Sequence, residues 1–250
     1  MRYIVFDLDD TLLDQKGSVT EFTLQTLKHL QSLGHKLVFN TARSQYYSKK
    51  YFEEIAPDYA ILNGGSLIVD NTGKAIFQNM IDVPTVQSVI SRLKMVTDTF
   101  SVQTESGFYT TSTDYTAQNA ICFDFWKDVF TEPAYKIVAR IADHDAAANI
   151  AKAYPLECIF YLSGDWMRFT KQDTTKSSGN RNLMALVGAS LQDIIAFGDD
   201  SGDLDMLLEA GTGVLMKNAR EELHRQCPTL SSYTNAEDGV ARFLREYFHI

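Results

Sequence analysis

The groups in this chain that could do chemistry fall in four places, each directly after a short apolar run. Asp7 and Asp9 follow Tyr3 to Phe6, and Asn40-Thr41 follows Leu37 to Phe39. Asn63-Gly64-Gly65 follows Tyr59 to Leu62, and Gly198-Asp199-Asp200, with Asp203 close behind, follows Ile194 to Phe197. Apolar runs of this length read as strands buried on both faces of a parallel sheet, and open α/β sheets bind ligands beyond the carboxyl ends of their strands. The four places therefore belong to one rim. Two like charges about 4 Å apart repel by roughly 4 kcal/mol at an effective dielectric of about 20, so gathering Asp7, Asp9, Asp199 and Asp203 there demands positive charge. A donor set of oxygens, with no Cys or His, favours Mg²⁺ over Zn²⁺. Lys176 can supply a second cation.

That combination suits phosphoryl transfer, in which the protein must position the group and neutralise its equatorial oxygens. Asp7, held ionised, would attack phosphorus and form an aspartyl phosphate, dividing one difficult displacement into two easier ones. Asp9, two residues on, would protonate the leaving oxygen and then activate water.

The elements that must carry these residues alternate from the start of the chain. A strand at 3–6 leads to an amphipathic helix, with Ser18 and Glu21 at capping-box spacing and Gly34 as its left-handed stop. Strands at 37–39 and 59–62 flank a second helix at 44–52. Later the same grammar returns, with helices at 182–187 and 204–209, strands at 194–197 and 213–216, and a closing helix at 237–248. The middle differs: hairpin signals at Asn71-Thr72-Gly73, Ser106-Gly107 and Ser163-Gly164, a helix opened by Pro84 and another near 143–153. The expected fold is α/β, a doubly wound Rossmann-like parallel sheet from residues 1–80 and 174–250, with an inserted α+β domain at 81–173.

Composition removes other classes. A hydrophobic content of 45% supports a real core, and a net charge of −9 without clustered Lys and Arg argues against a nucleic-acid surface. No apolar run reaches bilayer length and acidic residues come too early for a secretory signal, so no membrane role and a cytoplasmic setting are expected. Cys122, Cys158 and Cys227 have neither disulfide nor zinc spacing and are expected as reduced, buried thiols. Trp126 and Trp166 are expected in the core of the inserted domain. The oligomeric state consistent with this reading is a monomer or a weak homodimer.

DLDDTLL at 7–13, Thr41 after a strand, Lys176, and GDDSGD at 198–203 resemble the four motifs of the haloacid dehalogenase superfamily. More narrowly, Asn63-Gly64-Gly65 ahead of a large insert, the insert's place between the second and third motifs, and Asn218-Ala219 are similar to Cof-type phosphatases with a type 2 cap. The resemblance implies Asp7 as nucleophile, Asp9 as acid and base with its backbone carbonyl on Mg²⁺, and Thr41 and Lys176 on the phosphoryl oxygens. It implies Asp199 and Asp203 at the metal, and Arg43 and Asn63 near the phosphate or leaving group. A small phosphorylated metabolite is the implied substrate, with sugar phosphates foremost. Three positions depart from the family habit: Ala42 and Ser177 stand where Gly is usual, and Gly202 where Asn is usual.

A phosphomutase on the same core is the alternative reading, followed by a binding protein for phosphorylated ligands that has lost catalysis. The absence of spans opposes a P-type pump. A signalling receiver is opposed by the insert, and by a candidate nucleophile that follows the first strand rather than a central one.

Overall fold

The computed structural model of the chain describes residues 1–111, 120–160 and 164–250. It divides into two compact units, one of Met1–Phe77 with Thr175–Ile250 and one of Gln78–Thr174.

The first unit begins with β1 (Tyr3–Phe6), buried along its whole length, and an irregular turn over Leu8–Leu12. α1 (Glu21–Ser32) starts at Thr20, whose hydroxyl accepts from the Thr23 N–H, and not at the Ser18–Glu21 pair. The Ser18 N–H is instead drawn to Asp14 Oδ1 at 2.9 Å, which leaves Thr20 to satisfy the first free donors of the helix. β2 (Lys36–Asn40), α2 (Gln45–Ile55) capped by Ser44, β3 (Tyr59–Leu62), β4 (Leu67–Asp70) and β5 (Ala75–Gln78) follow.

The second unit contains α3 (Val83–Leu93), β6 (Phe100–Gln103), β7 (Phe108–Thr110), β8 (Ala120–Cys122), β9 (Lys136–Arg140), α4 (His144–Lys152), β10 (Leu156–Phe160) and β11 (Trp166–Lys171). Asp82 caps α3, with Pro84 in its first turn where a missing N–H does no harm, and Asp143 caps α4. The strands form a six-stranded sheet in the order β10-β11-β9-β6-β7-β8. Val86, Val89, Ile90 and Leu93 of α3 and Ala147, Ile150 and Ala151 of α4 pack onto one face of it, against Phe100, Val102, Ile137, Ala139, Met167 and Phe169. The aromatic part of this core is Phe100, Phe125 and Phe130, and Trp126 lies 52% exposed, contrary to expectation. Its neighbour Phe125 takes the inward position on that turn, which points Trp126 out. Residues 161–163, including Ser163 of the expected Ser163-Gly164 turn, fall outside the described residues.

The chain re-enters the first unit with α5 (Lys176–Val187), β12 (Ile194–Gly198), α6 (Leu204–Glu209), β13 (Thr212–Leu215), α7 (Glu221–His224), β14 (Thr229–Leu230) and α8 (Gly239–Phe248). α5 starts six residues ahead of the expected 182, because its first turns bury Ser177, Ser178, Gly179 and Asn180 rather than apolar residues, and periodicity is blind to small polar groups. A capping box between Thr175 and Ser178 fixes its start. The sheet runs β14-β13-β12-β1-β2-β3-β4-β5, parallel from β14 to β3 and antiparallel at β3–β4. β1 thus lies between β12 and β2, first in the chain yet central in the sheet. The strand-position argument against a receiver therefore fails, since order in the chain does not give order in the sheet.

Cys227 is buried, whereas Cys158 is half-buried and Cys122 exposed, so the expectation of three buried thiols holds for Cys227 alone. Burial pushes the Cys158 thiol up to about 11, which keeps it protonated and unreactive.

Candidate active site

Parallel pairing of β1 with β12 aligns Phe6 with Phe197, so the strands end within one residue of each other and deliver Asp7 and Asp199 to the same rim. Asp7 takes an extended backbone, and its N–H donates to the Phe197 carbonyl at 3.1 Å, which prolongs the sheet by one bond. Beyond it the chain closes a wide turn through the Leu13 N–H and the Leu8 carbonyl at 2.9 Å. This turn buries Leu8, Thr11 and Leu12 and leaves Asp9 and Asp10 exposed. Asn218 Nδ2 donates to the Asp10 carbonyl at 2.7 Å and Asn235 Nδ2 to the Leu13 carbonyl at 2.8 Å, holding the turn from its far side.

Asp7, Asp199 and Asp203 form the centre. Each offers a carboxylate oxygen, and these atoms lie within 4.8 Å of one another. Asp203 stands at the start of α6 but does not cap it. Its Oδ2 reaches back to accept from the N–H groups of Asp199 and Asp200 at 3.0 and 3.2 Å, while its Oδ1 accepts from Lys176 Nζ at 2.6 Å. Gly198 makes this approach possible, since a Cβ there would lie 2.4 Å from the Asp203 Cβ. Lys176 Nζ also meets Asp7 Oδ1 at 2.9 Å, so the first residue of α5 joins two of the three carboxylates.

One ammonium facing three carboxylates, two of them buried and the third half-buried, leaves an excess of negative charge if all are ionised. Burial first, then the charges of Asp203 and Asp199, push the Asp7 carboxyl up to about 8 against the pull of Lys176. Asp199 is pushed up to about 7 by burial and by Asp203, Asp200 and Asp10, although Thr11 Oγ1 donates to its Oδ1 at 2.7 Å. Burial likewise raises Asp203. Burial opposes the charge on Lys176, but Asp203 and Asp7 outweigh it and hold the ammonium above its ordinary range.

The site departs from expectation at Asp9. Its carboxylate is not with the other three; it forms a two-pronged ion pair with Arg43, Nε to Oδ2 at 2.8 Å and Nη2 to Oδ1 at 2.5 Å. The Asp9 side chain is 55% exposed there, and solvent plus a guanidinium is a better environment for a fourth carboxylate than a pocket already short of positive charge. Thr41 is buried after β2 and accepts from the Arg43 N–H at 3.2 Å, leaving its hydroxyl proton for another acceptor. Asn63 is buried with a left-handed backbone, and its Oδ1 has no hydrogen-bond partner. Its turn is tied to the Thr41 loop through Asn63 N–H to the Arg43 carbonyl at 2.8 Å and Gly64 N–H to the Thr41 carbonyl at 2.9 Å. Gly65, at φ +111°, lets the turn press on α5: a Cβ there would meet the Thr175 carbonyl oxygen at 2.2 Å.

The sequence placed Asn40 on the rim without a specific role and pointed to none for Thr11 or Asn180. Asn40 Nδ2 donates to the Lys176 carbonyl at 2.8 Å and to Asn180 Oδ1 at 2.9 Å, so β2 grips the first turn of α5 directly behind the ammonium. The signal was a pair of amides at positions otherwise reading as core, Asn40 closing a strand and Asn180 four residues after Lys176. The usual Asn at 202 is replaced by a glycine whose N–H donates to Asp200 Oδ1 at 2.8 Å.

Residues 4–244 match the family of haloacid dehalogenase-like hydrolases. The 5-amino-6-(5-phospho-D-ribitylamino)uracil phosphatase YitU of Bacillus subtilis is 26% identical over 99% of this chain and 97% of its own length. Among solved structures, a haloacid dehalogenase-like hydrolase from Bacteroides thetaiotaomicron superposes with a TM-score of 0.84 at 22% identity, covering 99% of each chain. The subclass IIB sugar phosphatase BT4131 does so with a TM-score of 0.80 at 18% identity over the whole of both chains. At those identities the solved structures speak for the fold, and the family match carries the classification. The chain belongs to the haloacid dehalogenase-like hydrolases, as a phosphatase of the Cof type.

Proposed function

We propose that the chain is a Mg²⁺-dependent phosphomonoesterase acting on small phosphorylated metabolites, sugar phosphates foremost, through an aspartyl phosphate on Asp7. The observation that carries this reading is the placement of Asp7: buried at the carboxyl end of the central strand, bonded to Lys176, and within reach of Asp199 and Asp203. The donor set fits the metal, being made of carboxylate oxygens whose excess of two negative charges matches a divalent ion. Asp7 and Asp199 would hold the ion, with Asp203 and the Asp9 backbone carbonyl completing the protein's share. When bound, Mg²⁺ supplies charge neutralisation for the transferring group.

The chain's own residues then divide the work. An Asp7 carboxylate oxygen attacks phosphorus, and the bond from phosphorus to the leaving oxygen breaks. Lys176 and the unengaged Thr41 hydroxyl proton face the equatorial oxygens. Asp9, having taken up a proton from solvent on leaving Arg43, gives it to the leaving oxygen, then takes one from the water that attacks the phosphorylated Asp7, and inorganic phosphate departs as the acyl phosphate bond breaks. For this the Asp9 carboxylate must leave Arg43, so that pair works as a resting position from which Asp9 is released. Arg43, once freed, would donate to the phosphate, and the unused Oδ1 of Asn63 would accept from a hydroxyl of the leaving group.

Asp7→Asn is expected to lower phosphate release from p-nitrophenyl phosphate by about 10³-fold or more with the fold intact. Unchanged turnover would refute the nucleophile assignment. A phosphate-release screen over phosphorylated sugars, sugar acids, nucleotides and pyridoxal phosphate, with and without Mg²⁺, identifies the substrate class. A requirement for a bisphosphate activator in that screen would mark a phosphomutase.

A further inference from the structure

The Lys176 ammonium ends a flexible stem, so its place between Asp7 Oδ1 and Asp203 Oδ1 depends on where the first residue of α5 is held. β2 holds it. Asn40 ends that strand, is 0% exposed, and donates from Nδ2 to the Lys176 carbonyl at 2.8 Å and to Asn180 Oδ1 at 2.9 Å. A backbone carbonyl only accepts, so this contact fixes which end of the Asn40 amide faces α5. Lys176 and Asn180 lie four residues apart on one helix face, and the amide spans that turn. So short a side chain reaches the helix because α5 lies close here. Asn40 pairs with Ile61 across the sheet, and a Cβ on Gly179 would meet Ile61 Cγ2 at 2.4 Å. The next residue in the chain is Thr41, whose hydroxyl proton is the other donor left for the phosphoryl oxygens.

Stability does not explain an amide at this position. Val38 on the same face of β2, Ile61 beside it, and Leu183 and Met184 of α5 are all core residues. Asn40 Oδ1 is buried among such groups without a hydrogen-bond partner, which costs more than apolar side chains of the same shape at 40 and 180 would. We propose, on the phosphatase reading, that Asn40, braced by Asn180, is a positioning residue that fixes the separation of the Thr41 hydroxyl and the Lys176 ammonium. One side chain then ties the strand end that carries the first donor to the helix start that carries the second. The phosphoryl oxygens spread as the transferring group flattens, and donors set for that geometry act on the transition state more than on the bound ester. A donor displaced by about 1 Å can cost about 10²-fold in rate.

The test uses the full chain, with leucine as the replacement because its shape is close to that of asparagine. Hydrolysis of p-nitrophenyl phosphate at saturating Mg²⁺ and thermal unfolding in EDTA are followed for the wild type, Asn40→Leu, Asn180→Leu and the double variant. Asn40→Leu leaves Asn180 Oδ1 buried without its donor. It is expected to lower Tm and to lower kcat about 10–100-fold, with KM within about three-fold of the wild type. Asn180→Leu keeps the bond to the Lys176 carbonyl and is expected to lower kcat only about three-fold. In the double variant Tm is expected to return to the wild-type value or exceed it, while kcat stays at the level of Asn40→Leu. A merely structural pair would recover rate together with Tm, so a double variant with wild-type kcat overturns the positioning role, as does a loss carried by KM alone. Should the leucine variants fail to fold, Asn40→Ser is too short to reach α5 and is expected to show the same loss of kcat; an unchanged kcat in that variant overturns the role equally. A wild type that releases no phosphate from any ester sinks the phosphatase reading and the positioning role with it, whereas an active wild type beside an equally active double variant sinks the positioning role alone.

Discussion

The acidic pocket of the first unit and the cationic face of the second hide charge in opposite ways. In the first, two buried carboxylates and a half-buried one crowd together, two of them share one ammonium, and backbone N–H groups of Asp199 and Asp200 complete the pairing of Asp203. In the second, a buried ammonium lies beside a guanidinium whose Nε has no partner. Burial disfavours the charged form of a group, and both regions show it, Asp7 being pushed up and Lys136 down. The difference teaches how burial acts on opposite charges: the crowded carboxylates are complementary to a cation, whereas the Lys136 ammonium is disfavoured by burial and by the neighbouring guanidinium.

Removing the lysine from each region should sharpen that contrast most. Lys176→Met strips the acidic pocket of its ammonium, and the metal-free protein is expected to lose about 3–5 kcal/mol, as when a buried ion pair is broken on one side. Lys136→Met removes a charge that burial and Arg168 already disfavour, and is expected to cost less than Lys176→Met. Calorimetric unfolding in EDTA measures both, and losses of equal size would erase the contrast.

Gly198→Ala should come next, because its new Cβ would collide with the Asp203 Cβ at 2.4 Å. The overpacked loop is expected to cost about 1–3 kcal/mol and to displace Asp203 from Lys176, so phosphate release falls with stability. An alanine variant with wild-type Tm and turnover would show that the close approach is dispensable.

Thr11→Val tests the orientation of Asp199 alone. Losing a hydrogen bond that aims a metal-binding group typically weakens metal affinity about 10–100-fold. Mg²⁺ activation curves are expected to shift by that factor with the maximal rate largely kept. A curve superposable on the wild type would assign Thr11 to the turn and not to the ion.

The pH dependence reads the same crowding without any substitution. Asp7 and Asp199 bind protons more tightly folded than unfolded, at about 8 and about 7 against a reference of 3.8. Their contribution is therefore fully present below the unfolded value and is lost as pH rises through the folded one. In EDTA, Tm should decline by several degrees between pH 5 and 8 and level off above. Saturating Mg²⁺, which favours the ionised carboxylates, should flatten the slope, and a metal-free Tm that rises over this interval would contradict the crowding.

The acidic rim was legible because its chemistry sits where strands end. Asp7, Thr41 and Asp199 each follow a buried apolar run, and Lys176 and Asp203 hold fixed spacings from them. The Asp9–Arg43 pair was not legible, since it depends on the turn over residues 8–12 carrying Asp9 outward while its neighbours go inward. Nor was the Asn40–Asn180 grip on the Lys176 carbonyl, which joins a strand end to a helix 140 residues away in the chain. The early start of α5 escaped for a related reason, because its buried first turns are built from Ser, Gly and Asn.

The sequence by itself determined the alternation of strands and helices, the insertion and the residues that reach the rim, because period, caps and strand ends are local properties of the chain. Only the tertiary structure decided which of the four aspartates share an environment, how one lysine is divided between two of them, and that Lys136, Arg168 and Thr170 meet on one sheet face. Those outcomes are set by register and by close approach, which bring together side chains far apart in the chain and give them a common dielectric.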